Sequence, residues 1–530
     1  MTWDDHAFLS VEVDGARPRL AADLSDATRP RWWSSEVEVI VEADPEADAI
    51  RQTWLIRERS GRVPTIHLRL AGRIDRPALA EITELDALPP TGAATVAGVH
   101  GSIARLRADR LPATAEVMVA GLPAHWRPTG DGLLGTLSGL VGGEEARFTI
   151  EVSLSTPPSS AEVGAGVEPI GDPLIDRALA YVRGCTALRV AADERAIITD
   201  HRILPLSWTR DAYWQALALL AADGPGDRGR VADHLRWLWR RCERPDERWV
   251  RSHHANGRRK DLAFQADQQL YPMIELADHW RLTGTLPAGV DWDSAVGRAW
   301  DAALAEIDPA IGLIRSAENA ADDPAAAPYI GASQIVLWYA AMRIAEVVDS
   351  GALRMDARAL RSRAAAVRSS FASHFGRGGA AWPYAIDPPH TRIAYHDAND
   401  IPVTLAPLWG FCGPDDEGWR ATMAFAFSPA NPAWCEGPRA GLGSAHTPGP
   451  WTLGDIQAWL RGRIDGDDGL AEGSLQRLEE IAFADHMLPE AYATRGDERH
   501  RHWFAWPGAA QAAFRLLDRA GNLQVRLSAI

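Results

Sequence analysis

Lysine is almost absent from this chain: of 55 lysines and arginines, only Lys260 is a lysine. A polybasic membrane anchor therefore has little to be built from. Acid outweighs base, with 71 Asp and Glu and a formal charge of −16. That field repels phosphate backbones, so no nucleic-acid partner is expected. No run of about eighteen apolar residues occurs, which excludes an ordinary membrane-spanning helix. The opening stretch, MTWDDHAFLSVEVDG, puts acid where a signal peptide carries base, and no apolar segment follows it. The expectation is a cytoplasmic protein without a membrane partner. Cysteine is scarce as well. Cys185, Cys242, Cys412 and Cys435 are far apart, with no CxxC pair and no histidine cluster, so free thiols are expected rather than a disulfide framework or a zinc knuckle. There is no HExxH and no acidic loop of calcium spacing. GLVGG (139–143) and GLG (441–443) lack the strand-to-helix setting of a dinucleotide loop. Neither metal nor cofactor is expected.

What is present reads as a globular protein. Apolar residues make up 46% and charged residues 24%, close to the globular average, and 530 residues suffice for two or three domains. Tryptophan is in excess: 22, against 11 Phe and 8 Tyr. Most of these are expected to staple helices together. The indole face also packs well against the C–H side of a sugar ring while its N–H finds a polar partner, so tryptophans beside charged motifs point toward carbohydrate.

Through about residue 165, segments such as VEVIVEAD, TIHLRLAGRI, ARLRADRL, AEVMVAGL and ARFTIEVSLS alternate apolar and polar with period two. They predict a smaller N-terminal domain resembling a β-sandwich. STPPSSAEVGAGVEP is a linker, and places a domain boundary between 165 and 166. Beyond it the period becomes helical, with Asp172 as N-cap and Pro173 in the first turn. Twelve helical segments follow, among them 211–222, 262–282, 331–349, 400–410, 452–462 and 503–519. A mainly α fold of this kind fits an (α/α)6 toroid, with an irregular helical bundle as the alternative.

Charge in the helical region gathers in loops that also carry Trp, Gly and Pro: SWTRDAYWQ, ADQQLYPMIELA, AADDPAAAPYIGAS, WPYAID with YHDAND, GLGSAHT, and PEAY with RHWFAW. Singly, each admits a plainer role. Asp211 suits a helix N-terminus, the Asp322–Asp323 pair suits a cap, Glu490 a solvated loop, and His446 a hydrogen-bonded structural histidine. Their order and spacing, however, resemble those of the metal-independent exo-α-1,6-mannosidases, glycoside hydrolase family 125. The resemblance runs over most of 205–520 and leaves the first 165 residues uncovered.

That resemblance implies an (α/α)6 fold, no metal, an oligosaccharide or small glycoside as substrate, and inversion at the anomeric carbon. The Asp322–Asp323 loop would supply the general acid, Asp322 first, and Glu490 the general base. Inverting hydrolysis sets such carboxyls about 6.5–9.5 Å apart, with a water between. Arg210, Asp211, Asp267, Asp397 and Asn399 would bind the terminal sugar's hydroxyls, with Trp208, His446, Arg501 and Trp503 completing the substrate site. Several positions depart from the family pattern: Gln265 and Ala385 replace glutamates, Asn319 an arginine, His396 an aspartate, and Pro489 a histidine. The expectation is an exo-acting α-glycosidase, mannose first. Its alternatives are the same chemistry on another sugar such as glucose, a phosphorylase, or a non-catalytic sugar-binding homologue.

Overall fold

The computed structural model of the chain describes residues 9–13, 21–23, 29–33, 37–45, 49–59, 66–71, 94–108, 114–121, 124–129, 132–137 and 145–155, then 169–186, 189–200, 204–376, 378–483, 485–501, 504–521 and 523. It divides into two compact units, Met1–Ala165 and Gly166–Ile530.

In the first unit the period-two segments form strands, because alternation gives a pleated ribbon one face to bury. The described residues make two antiparallel sheets. One has four strands in the order Leu9–Val13, Ile66–Ala71, Gly132–Leu137, Ala124–Thr129. The other has eight, with Val37–Pro45, Ala49–Glu58 and Glu145–Ser155 side by side at its centre. There Phe148 pairs with Trp54 across neighbouring strands, and their rings stack at 6.1 Å, both buried.

The second unit is helical. Asp172 caps α1 (Pro173–Cys185) by accepting from the Ile175 N–H at 3.3 Å. There follow α2 (Thr209–Ala222), α3 (Asp227–Arg236), α4 (Tyr271–Thr283), α5 (Trp292–Leu304), α6 (Gly331–Asp349), α7 (Ala357–His374), α8 (Ile401–Thr404), α9 (Ala406–Trp409), α10 (Glu417–Ala426), α11 (Thr452–Asp465), α12 (Asp468–Ile481) and α13 (Ala505–Arg519). Two expected helices come out shorter. The 262–282 segment becomes α-helical only at Tyr271, because Pro272 lacks the N–H that a helix interior needs but is accepted in a first turn. The 400–410 segment is split into α8 and α9, each with a proline in its first turn.

Six helices close a ring: α2 packs on α4, α4 on α6, α6 on α8, α8 on α11, α11 on α13, and α13 back on α2. Burial separates these from their neighbours. α6 buries fifteen of its nineteen residues, so it is surrounded on all sides. α7, packed against it, buries only Leu360, Ala364, Val367 and Phe371, a single stripe at helical spacing. Most tryptophans serve this core, Trp237, Trp249, Trp409 and Trp419 among them. Tyr213 of α2 and Arg343 of α6 both donate to buried Asp278 of α4, at 3.0 and 2.7 Å, tying three ring helices together. The four cysteines are free. Among the described residues no helix is long and apolar enough to cross a membrane, and no group of three or more His, Cys, Asp or Glu is placed to hold a metal ion.

The ring also orders the loops. Residues 204–208 lead into α2, 264–270 into α4, 317–330 into α6, 395–400 into α8, 443–451 into α11 and 488–504 into α13. The charged motifs noted in the sequence fall on these segments or in the turn just after them, except WPYAID, which ends in the strand Ala385–Asp387, and hydrogen bonds join the segments at one end of the ring.

Candidate active site

The α2 entry supplies Trp208, Arg210 and Asp211. Arg210, buried, donates through Nη1 to Asp267 at 2.9 Å and to Gln265 Oε1 at 3.0 Å, and its Nη2 lies 3.8 Å from Asp322 Oδ1. It binds the α2, α4 and α6 entries together. Asp211 accepts from the Thr199 hydroxyl at 3.3 Å. Burial pushes its carboxyl up to about 7, helped by the charges of Asp322 and Glu490 and opposed by Arg210.

The α6 entry holds Asp322 and Asp323 in a tight turn. Asp322 has φ of 66°, a left-handed conformation that costs a non-glycine residue of order 1 kcal/mol and persists where surroundings enforce it. Asn319 enforces it here. Its side-chain oxygen accepts from the Ala321 and Asp323 N–H groups at 2.9 and 3.0 Å, and its own N–H donates to the Asp323 carbonyl at 2.8 Å. Asp322 accepts from the Trp208 indole at 2.9 Å on one oxygen and from the Gln265 amide at 2.5 Å on the other. Asp323 is more exposed and meets His446 Nδ1 at 3.3 Å.

Glu490 is 3% exposed. Its backbone is pinned on both sides: its N–H donates to the His500 carbonyl at 3.0 Å, and its carbonyl accepts from Thr452 N–H at 3.1 Å. Its carboxylate accepts from Thr447 at 3.1 Å and lies 3.4 Å from Arg501. Burial raises its pKa, against the pull of Arg501, His446 and Thr447. The Thr447 loop can approach because Gly449 has φ of 105°, and a Cβ there would fall 2.3 Å from the Tyr492 carbonyl oxygen. Arg501 also reaches His446 Nε2 at 3.3 Å.

Trp208, Arg210, Asp211, Asp322, Asn399, His446, Glu490 and Arg501 line one pocket of about 430 Å³ that opens to solvent; Trp451, Phe504 and Trp506 form its aromatic wall. Of the residues expected from sequence, Asp323 lies at its rim, while Asp267 and Asp397 stand behind it. Asp397 accepts four hydrogen bonds, from Tyr395, Ser444 and both nitrogens of Asn399, and so is saturated. Trp503 lies outside the described residues. Sequence reasoning passed over Thr447, Trp451, Thr199 and Phe504, which carry no charge to mark them. It met Gln265 only as a departure. Of the other departures, His396 is buried and pairs with Gln457 of α11 at 2.9 Å, away from the pocket. A larger cavity of about 940 Å³ is lined by Arg368, Phe371, Trp382 and Phe411, between α7 and α10, and none of the expected residues lines it.

The helical ring, with a polar, tryptophan-walled pocket at one end, has structural neighbours of the six-hairpin glycosidase fold. A bacterial glucoamylase complexed with acarbose is similar with TM-score 0.70 and 12% identity over 98% of this chain and 88% of its own. A rhamnosidase from Klebsiella oxytoca with rhamnose bound gives TM-score 0.50 and 14% identity over 97% and 96%. The family resemblance is to the metal-independent alpha-mannosidases (GH125), whose sequence model matches residues 299–514. A metal-independent alpha mannosidase of Streptococcus pneumoniae, in a non-productive complex with alpha-1,6-mannobiose, matches at TM-score 0.55 and 18% identity over 65% of this chain and 93% of that one. No curated protein matches the sequence. The family match and the glycosidase neighbours together support a glycosidase.

Proposed function

We propose that this protein is an exo-acting, inverting α-glycosidase that removes a terminal α-linked hexose, mannose first, by acid–base hydrolysis without metal. The observation that carries the reading is the pairing of Asp322 and Glu490 in one pocket, brought there by separate loops. Glu490, with a raised pKa, is a stronger base than an ordinary carboxylate and takes a proton from the attacking water. Asp322 gives its proton to the glycosidic oxygen, and Asp323 at the rim orients the leaving group. The C–O bond breaks as the water oxygen bonds to the anomeric carbon from the opposite face, so an α-glycoside yields a β-sugar. Asn399 and Asp211 bind hydroxyls, Arg210 and Asp397 hold them in place, and Trp208 and Trp451 offer ring faces. The mannobiose bound by the Streptococcus pneumoniae relative makes α-1,6-linked mannosides the first substrates to examine.

A second reading keeps the chemistry and changes the sugar, and the neutral residues Gln265, Asn319 and Ala385 at positions where the family carries charge favour it. One experiment tests both. Purified protein, in EDTA and without phosphate, is given α-mannosides, α-glucosides and natural disaccharides, and product is followed by proton NMR. β-Mannose as first product supports the main reading. A β-anomer from another α-glycoside supports the second. First release of the α-anomer, or turnover only with phosphate, overturns both.

A further inference from the structure

Gln265 is 1% exposed and stands where four polar groups meet. Its Oε1 accepts from Arg210 at 3.0 Å and from the Gln268 amide at 3.3 Å. Arginine can only donate, which fixes the orientation of the Gln265 amide. Nε2 must therefore face the two carboxylates beside it, Asp322 Oδ1 at 2.5 Å and Glu318 Oε2 at 3.1 Å. Glu318 is held from its other side by Arg251 at 3.2 Å, which in turn meets Asp261 at 2.8 Å. A chain of alternating charge thus runs Asp261, Arg251, Glu318, and ends in a neutral amide before it reaches the pocket.

Resting on the catalytic reading above, we propose that Gln265 is the positioning residue of Asp322: its amide spends one N–H on Asp322 and the other on Glu318, holding the first in the pocket and the second out of it. The remaining charged groups that face Asp322 are fixed. Arg210 lies 3.8 Å away, and Asp211, Arg251 and Glu490 act through their charge. Two neutral groups touch Asp322, the Trp208 indole and the Gln265 amide, and of these only Gln265 has an ionisable counterpart of the same shape. A glutamate of the same shape would bring a third carboxyl to hydrogen-bonding distance of Asp322 and Glu318; the three cannot all ionise, and the shorter contact, to Asp322, would take up the shared proton.

The test is Gln265→Glu, read in two ways. In turnover, the high-pH limb of the kcat profile, where the acid loses its proton, moves up by one pH unit or more, while KM changes less than threefold. Without turnover, Tm measured against pH shows one added proton held by the folded state; it persists when Glu318→Gln is added to Gln265→Glu and disappears when Asp322→Asn is added as well. A structural role alone predicts a lower Tm at every pH with both profiles unmoved, and that result overturns the proposal. If Gln265→Glu is too unstable to study, Gln265→Ala serves. It removes the Gln265 hydrogen bond and leaves Asp322 with the Trp208 indole and the longer Arg210 contact, and kcat should fall tenfold or more with KM little changed; an unchanged kcat overturns the proposal. The two readings fail separately, because the Tm titration needs no activity and loss of turnover in Glu490→Gln does not involve Gln265.

Discussion

Arg501 stands 3.4 Å from Glu490, a half-exposed guanidinium against a buried carboxylate. Burial is the larger influence and raises the Glu490 pKa. A carboxyl whose folded pKa is raised contributes stability below its unfolded pKa and loses it as pH climbs through the folded value. Glu490→Gln therefore has two expected effects. Turnover falls by about 10²–10⁴-fold with KM nearly unchanged, and Tm at pH 8 rises, since the buried charge is gone. Initial rates and thermal unfolding at pH 8 check both.

Asp322 and Asp323 separate by leaving group. Asp322 lies inside the pocket and Asp323 at its rim on His446. Asp322→Asn should lose about a hundredfold or more on a natural disaccharide, yet little on an aryl glycoside whose phenolate leaves unaided. Asp323→Asn should lose less and show no such contrast. The reverse pattern would move the acid to Asp323.

Asp397 accepts both nitrogens of Asn399 at 2.8 Å, so the two form one device. Asp397→Ala and Asn399→Ala are each expected to raise KM about tenfold or more. The double variant should be scarcely worse than either alone, as coupled residues give non-additive cycles. Additive losses would mean that Asp397 contacts sugar independently.

Away from the pocket, Asp455 of α11 is buried, accepts from Tyr492 at 2.6 Å, and is pushed up to about 7 chiefly by burial. Asp211 is raised similarly. Both favour the folded state at low pH, and that benefit is lost as pH rises from about 4 through 7. Tm should fall by several degrees between pH 5.5 and 8, and Asp455→Asn should flatten part of the slope. A Tm that rises over that interval would contradict both assignments.

Much of the helical unit was legible because outer helices such as α7 bury one stripe and leave a 3.6-residue signature, while inner helices such as α6 bury nearly every side chain and read as long, largely apolar segments. Prolines 272, 402 and 407 hid the true starts of α4, α8 and α9, since periodicity continues through a proline while the N–H ladder does not. Arg210 and Glu490 could be picked out as charged residues in tryptophan-bearing loops, and Asp322 as part of an acidic pair in an alanine- and proline-rich one. The division of labour could not. Asp397 turned inward and Asn399 outward by hydrogen bonds that no spacing encodes. Gln265 and Asn319 looked like losses from a charged pattern, yet one bridges two carboxylates and the other ties the turn that presents Asp322.

The ring is closed by its last helix. α13 packs against α1 and α2, with Phe514 5.4 Å from Trp214 and Arg515 joined to Asp172, more than three hundred positions earlier. The chain is made from the other end. While it is being synthesised, α2 waits with an uncovered apolar flank, and the pocket lacks the wall that carries Glu490, Phe504 and Trp506. Such distant contacts come late and leave sticky surface open meanwhile. A ribosome-bound chain that stops short of α13 has every other ring helix and no complete pocket, so the competence of this unit arrives at a single late moment in its making.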